Sequence, residues 1–217
     1  MSKLICGLIL LFLGPLLACA QGGAEGYQAG THYDVVVPAQ RTRDADKIEV
    51  VEFFAYSCSH CYNFEPLLTQ WKPRLADDVN FMPSPAVWNA AMEPHAKAYY
   101  TAQALGVLDT LHGALFAAMH VDGKRLASEG EIRQLFVTNG VAAADFDKAY
   151  NSFGVSSQVR QAIARAKGAR VTGTPEMMVA GKYRVTTRKA GSQANMLKIV
   201  DFLIAKERSA MAAAAVD

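Results

Sequence analysis

Two cysteines three positions apart, Cys58 and Cys61, with Ser59 and His60 between them, stand just beyond the apolar run Val50-Val51-Glu52-Phe53-Phe54-Ala55. Where a strand hands over to a helix, the first sulfur meets backbone N–H groups that have no partner inside the helix, and the positive end of its dipole. Both favour a thiolate. The second sulfur lies one helical turn further in and is screened. The chemistry this supports is thiol–disulfide exchange, with Cys58 attacking and Cys61 resolving. His60 can add a positive charge or a hydrogen bond to the thiolate.

Other uses of such a pair fit poorly. A zinc site asks for further ligands, and the chain has no second cysteine pair. Haem attachment needs a histidine directly after the second cysteine, where Tyr62 stands. A purely structural disulfide here closes too small a loop to stabilise much. With 22 Lys and Arg against 20 Asp and Glu, scattered and without a basic run, nothing in the charge pattern suggests a nucleic-acid partner.

The elements that must position the pair are legible from periodicity. Tyr33 to Val37 is a short β-like run, and Ile48 to Ala55 reads as a strand buried on both faces. Cys58 to Leu75 carries Leu67, Leu68, Trp71 and Leu75 at helical spacing, with Pro66 expected to kink it. Val79 to Pro83 is a further strand. From residue 89 to 167 the pattern is helical throughout: Pro94 to Leu105, Asp109 to His120, Ser128 to Val137, Asp145 to Tyr150 and Ser157 to Lys167, with a capping box from Ser128 to Glu131. Met177 to Ala180 and Tyr183 to Thr186 form a hairpin about Gly181-Lys182, and Ser192 to Glu207 is an amphipathic closing helix before an alanine-rich tail expected to fray. The order predicts an α/β fold, a mixed sheet carrying an inserted α-helical subdomain. Met177, Met178, Trp71 and Trp88 are read mainly as core. His32, His112 and His120 are assigned core or solvated roles, and His95 has no evident partner.

Residues 1–20 have one charge, Lys3, an apolar stretch from Leu4 to Leu17, and Ala18-Cys19-Ala20 at the end, the pattern of a secretory signal. Cleavage after Ala20 would leave a soluble protein. Leu16-Leu17-Ala18-Cys19 equally resembles a lipobox, in which Cys19 would carry a lipid. On either reading Cys58 and Cys61 are the only free thiols of the mature chain, exposed to an oxidising compartment.

The segment from Glu52 to Glu65, Glu-Phe-Phe-Ala-Tyr-Ser-Cys-Ser-His-Cys-Tyr-Asn-Phe-Glu, resembles the DsbA family of thioredoxin-fold thiol oxidases. So do the helical insertion, Asn151-Ser152-Phe153, Val171-Thr172-Gly173-Thr174-Pro175 and Gly181-Lys182-Tyr183. The resemblance implies a thioredoxin-like domain in two parts, 21–88 and 156–209, the insertion at 89–155, and a flexible tail at 210–217. It implies that Pro175 is a cis-proline against the cysteine pair, that the Thr174 backbone pairs with an extended substrate, and that Glu52 sits beneath the disulfide and moves protons to the buried sulfur. A strongly depressed thiol pKa and a high reduction potential come with the family.

Two residues depart from the family's commonest pattern: Ser59 replaces a proline that helps tune the potential, and Thr174 replaces a valine. The segment from Val79 to Glu93 offers no Lys or Arg as a partner for Glu52. The expected activity is a monomeric periplasmic protein dithiol oxidase with no cofactor beyond its own disulfide. It would act on reduced, unfolded exported proteins and be reoxidised by a DsbB-type membrane partner. A disulfide isomerase or reductase is the alternative that Thr174 and Ser59 raise, although Gln21 to Lys47 is too short to form an isomerase's dimerisation domain. A metallochaperone using Cys58, Cys61 and His60 is the third reading.

Overall fold

The computed structural model describes residues 26–214; the signal-like segment with Cys6 and Cys19 lies outside the described residues. The sheet is built from β1 (Asp34–Val35), β2 (Ile48–Phe54), β3 (Val79–Pro85), β4 (Glu176–Val179) and β5 (Tyr183–Thr186), in the order β1-β5-β4-β2-β3. β2 runs parallel to β3 and antiparallel to β4, and the remaining pairs are antiparallel. The sheet is therefore mixed, as expected.

β2 is central, and all seven of its residues are buried. β3 lies at the edge and continues past Pro83 to Pro85, because an edge strand needs only alternate N–H groups for its single neighbour. The Ala86 N–H still reaches the Phe54 carbonyl, at 2.8 Å. The two sheet faces alternate along each strand. Ile48, Val50, Met177, Val179 and Val185 face α1 (Ser59–Trp71) and α8 (Gln193–Ala214), together with Phe64, Leu68, Trp71, Ile199 and Leu203. Trp71 Nε1 donates to Asp201 at 2.7 Å, which pins α1 to α8. Val51, Phe53, Met82 and Met178 face the other way, onto Ala166 and Ala169.

Between β3 and β4 lie α2 (Glu93–Ala104), α3 (Leu108–His120), α4 (Glu129–Thr138), α5 (Ala143–Tyr150) and α6 (Phe153–Gly168). Their core includes Tyr99, Leu115, Phe116, Phe136 and Phe146, and it takes in Phe54, Tyr56 and Cys61 from the sheet side. The capping box at Ser128 forms: Ser128 Oγ accepts from the Glu131 N–H at 3.3 Å, and Glu131 Oε2 accepts from the Ser128 N–H at 3.1 Å. α6 begins four residues earlier than its periodicity indicates, because Ser152 caps it by accepting from the Val155 N–H at 3.1 Å. One helix therefore crosses the expected boundary at residue 155. Val155, Val159 and Ala162 pack in the insertion, Ala166 beneath the sheet.

Three features differ from the sequence reading. The hairpin turns on Ala180 and Gly181, at φ +51° and +65°, with Lys182 N–H bonded to the Val179 carbonyl at 3.0 Å. Ala180 therefore belongs to a turn with two positive φ values, not to the strand. Gly181 is required there, since a Cβ would meet the Gln40 carbonyl oxygen at 2.2 Å. The alanine-rich segment continues α8 to Ala214, as the residue with the highest helix propensity allows, so the expected tail is helical over its described part. Trp88 is half exposed in the loop after β3, whereas Trp71, Met177 and Met178 are buried.

Candidate active site

Cys58 is the N-cap of α1, with extended backbone (φ −91°, ψ 113°), and its sulfur accepts from the Cys61 N–H at 3.3 Å. The sulfur is half-buried, while Cys61 is fully buried; both are free thiols here. The opposite wall is Thr174, whose carbonyl accepts from Cys58 Sγ at 3.3 Å; the Thr174–Pro175 peptide is cis, as the family resemblance implies. The Cys58 thiol is lowered to about 5. Hydrogen bonding from the Cys61 thiol contributes most, burial opposes it, and the Thr174 side chain and the Cys61 and His60 amides add to the lowering. Burial, and donation to Cys58, push the Cys61 thiol far above the ordinary thiol range. The partition of roles between the two sulfurs thus follows from depth: only Cys58 can ionise near neutral pH, and only Cys58 can be reached.

The hydrogen bond that His60 offers the Cys58 sulfur comes from its backbone. The residue is exposed, and its carbonyl accepts from Gln193 Nε2 at 2.6 Å. Ser59 is exposed at the first turn of α1 beside it.

Glu52 is 1% exposed on β2, its Cα paired with those of Pro83 and Met177, and it points towards α1. Among the described residues its Oε1 has no hydrogen-bond partner. Burial raises its pKa, the nearby Glu65 raises it further, and a negative charge on Cys58 adds to the shift; Lys72 acts in the other direction. The basic group missing from β3 is thus supplied in part by the residue that ends α1. The carboxyl opens on a cavity of about 750 Å³, lined also by Glu65, Lys72, Tyr99 and His112. Burial holds the Tyr56 phenol well above its ordinary pKa, and its hydroxyl pairs with His112 Nδ1 at 2.7 Å, as donor in the tautomer that carries the proton on Nε2. His112 Nε2–H is then left to donate to Glu65 Oε1, at 3.3 Å.

Two histidines outside the motif, His112 and His120, hold the site from behind. His120 Nε2 bonds the Tyr56 carbonyl at 2.7 Å and its ring stacks on Tyr62, so α3 grips both the turn before Cys58 and the start of α1. His95, with no partner evident in the sequence, bonds the Arg125 carbonyl at 3.0 Å. No sequence signal marks Glu65, Lys72 and His112 as neighbours of Glu52, because His112 comes from a different helix 47 positions away from Glu65.

This assembly has close counterparts. A DSBA-like thioredoxin domain model matches residues 76–198, more than half of the chain, including the insertion and Thr174–Pro175. The thiol:disulfide interchange protein DsbA of Azotobacter vinelandii is 39% identical over 188 residues, covering 87% of this chain and 85% of its own. That of Pseudomonas aeruginosa is 38% identical over 205 residues, covering 92% and 97%. The chain belongs to the DsbA family. The crystal structure of Pseudomonas aeruginosa DsbA superposes with a TM-score of 0.83 at 38% identity, over 87% of this chain and 98% of that one. The oxidoreductase DsbA from Xylella fastidiosa gives 0.79 at 34% identity, over 84% and 98%. The fold is the DsbA-like thioredoxin fold, and membership of this DsbA family makes the protein a thiol:disulfide oxidoreductase.

Replacing Glu52 tests its state directly. A carboxyl whose pKa is raised on folding costs stability as the pH rises above its unfolded value and nothing below it. Glu52→Gln is therefore expected to match the unsubstituted protein in urea unfolding near pH 4 and to exceed it by about 1–2 kcal/mol at pH 8. An equal or lower midpoint at pH 8 would show that the carboxylate is stabilised in a way its surroundings do not indicate.

Proposed function

We propose that the protein is an exported dithiol oxidase: it passes a Cys58–Cys61 disulfide to reduced, unfolded proteins in the periplasm and is reoxidised by a DsbB-type membrane partner. It acts as a monomer and needs no cofactor, since the cysteine pair itself carries the two electrons. A substrate thiolate attacks Cys58 Sγ, forming a mixed disulfide and expelling the Cys61 sulfur, which takes up a proton. A second substrate thiolate then attacks the substrate's own sulfur in the mixed disulfide, and Cys58 leaves as a thiolate. The substrate dithiol becomes a disulfide and the protein disulfide becomes a dithiol.

The observation that carries this reading is the accessible Cys58 sulfur at the N-terminus of α1, accepting from the Cys61 N–H at 3.3 Å, beside a fully buried Cys61: the surroundings lower the first thiol to about 5 and burial keeps the second protonated. Stabilising the reduced form in this way makes the disulfide a strong oxidant, and a low-pKa thiolate is a good leaving group. In this reading Glu52, with its raised pKa and unpartnered oxygen, is the proton donor to Cys61. Thr174 presents its backbone to the extended substrate chain.

Equilibration with glutathione separates this from a reductase. DsbA-type oxidants stand at about −120 mV and thioredoxin at about −270 mV, and a value close to the first is expected. A value at or below thioredoxin's, with no oxidation of a reduced peptide, would falsify the oxidase assignment.

A further inference from the structure

Behind the loop that faces Cys58 lies an acid the exchange steps do not use. Glu176 directly follows Pro175 and opens β4, a strand whose other residues are Met177, Met178 and Val179. Its side chain is 5% exposed and points to the sheet face opposite Glu52, its Cα paired with those of Phe53 and Thr186. Burying a carboxyl costs several kcal/mol unless its surroundings compensate, and an apolar residue would fit a strand of this kind at lower cost.

The compensation comes from the loop itself. Glu176 Oε1 accepts from the Thr172 N–H at 3.3 Å and from the Thr172 hydroxyl at 3.2 Å, and the Gly173 amide bonds to the same carboxyl. These are loop donors that no sheet ladder serves. Oε2 makes no hydrogen bond and faces Arg184 Nε at 3.8 Å. Arg184 is held in turn by Asp34, at 3.1 Å, and by the Arg170 carbonyl, and Asp34 also takes Lys189 at 2.5 Å. The bracing thus runs from Lys189 through Asp34 and Arg184 to Glu176 and ends on Thr172. Glu176 and Thr172 themselves help to line a groove of about 280 Å³, together with Thr174, Pro175, Thr187 and Arg188.

We propose that Glu176 is the positioning residue of the Thr172–Pro175 loop, fixing Thr174 both against the Cys58 sulfur and in the register that receives the substrate chain. It touches neither sulfur nor substrate and acts through Thr172 and Gly173. The substrate half of this statement rests on the oxidase reading above; the Cys58 half does not.

The test compares Glu176→Ala and Glu176→Gln in two measurements: steady-state oxidation of a reduced dithiol peptide, and the Cys58 thiolate absorbance as a function of pH. Glu176→Ala is expected to raise KM about tenfold with kcat changed less than about twofold, since substrate pairing is weakened while the sulfurs remain. Its thiolate midpoint moves away from about 5, because Thr174 is no longer held against the Cys58 sulfur. Glu176→Gln keeps an oxygen facing Thr172 and recovers most of both losses, a rescue that a merely structural acid would not produce. If Glu176→Ala does not fold, Thr172→Val removes one donor only and is expected to raise KM about threefold. The proposal is overturned if Glu176→Ala, or Thr172→Val in its place, shows the KM and thiolate titration of the unsubstituted protein, whatever its melting temperature. Should the unsubstituted protein fail to oxidise the peptide, the oxidase reading falls, and the thiolate titration alone decides the role of Glu176.

Discussion

Cys58→Ala is expected to reduce oxidation of a dithiol peptide to below about 0.1% of the unsubstituted rate, because the remaining sulfur can neither be reached nor ionise. Cys61 is fully buried, and its thiol is pushed far above the ordinary range, so it offers no second route. Cys61→Ala has the opposite signature. Cys58 keeps its exposure, the Thr174 wall and the His60 amide, so it still forms mixed disulfides once a small oxidised thiol compound or an oxidised peptide is supplied. It loses the neighbour that resolves them. Adducts one peptide heavier are expected to accumulate and to survive until an external thiol is added. Since hydrogen bonding from Cys61 is the largest contribution to lowering the Cys58 thiol, that variant should also titrate at a higher pH than the unsubstituted protein. Retention of more than about a tenth of the activity by Cys58→Ala, seen together with adducts mapped to Cys61, would reverse the assignment of the two sulfurs.

The features legible in the sequence are those carried by short stretches of chain. The strand that leads to the cysteine pair and the capping box at Ser128 are local patterns and stand where their residues place them, and the closing helix begins where expected and runs on through the alanines. Glu52 is the informative case: a lone acid in an apolar run reads as buried, and it is. Its surroundings were not legible, because they come from separate elements. Glu65 lies on α1 and Lys72 directly after it, Tyr99 on α2 and His112 on α3, and only packing of the insertion against β2 brings them to one cavity. The β3 segment carries no cation, and the positive charge near Glu52 comes from Lys72 instead.

His60 and Ala180 show a second limit. A histidine between two cysteines offers a charge or a hydrogen bond, and at the second residue of α1 the hydrogen bond comes from the backbone N–H of an exposed residue. Ala180 looks like strand by composition, but a right-handed twist demands positive φ at both central residues of the two-residue turn. Glu176 gives no local cue at all. Its meaning depends on Arg184 and Asp34, and Asp34 contacts Arg184 across 150 positions of sequence.

The two redox forms should differ in stability, and the difference should grow with pH up to the unfolded thiol pKa, above which the buried, protonated Cys61 of the reduced form opposes further growth. The folded Cys58 thiol is depressed from 9.0 to about 5, so the stabilisation it gives the reduced protein is fully present above the unfolded thiol pKa and is lost as the pH falls through about 5. Taken whole, that displacement is worth about 5 kcal/mol. The sulfur is half exposed and screened by water, which reduces the expected gap to about 2–3 kcal/mol near pH 9. About half of it remains at pH 7 and none at pH 4. The disulfide form gains none of this, and its small loop adds little in compensation. Glu52 is present in both forms and largely cancels, but its charge and that of Cys58 oppose each other. Removing it in Glu52→Gln should therefore widen the gap at alkaline pH. Urea unfolding of both redox forms from pH 4 to 9 measures all of these, and a gap that is absent or that shrinks with rising pH would contradict the thiolate assignment on which the chemistry rests.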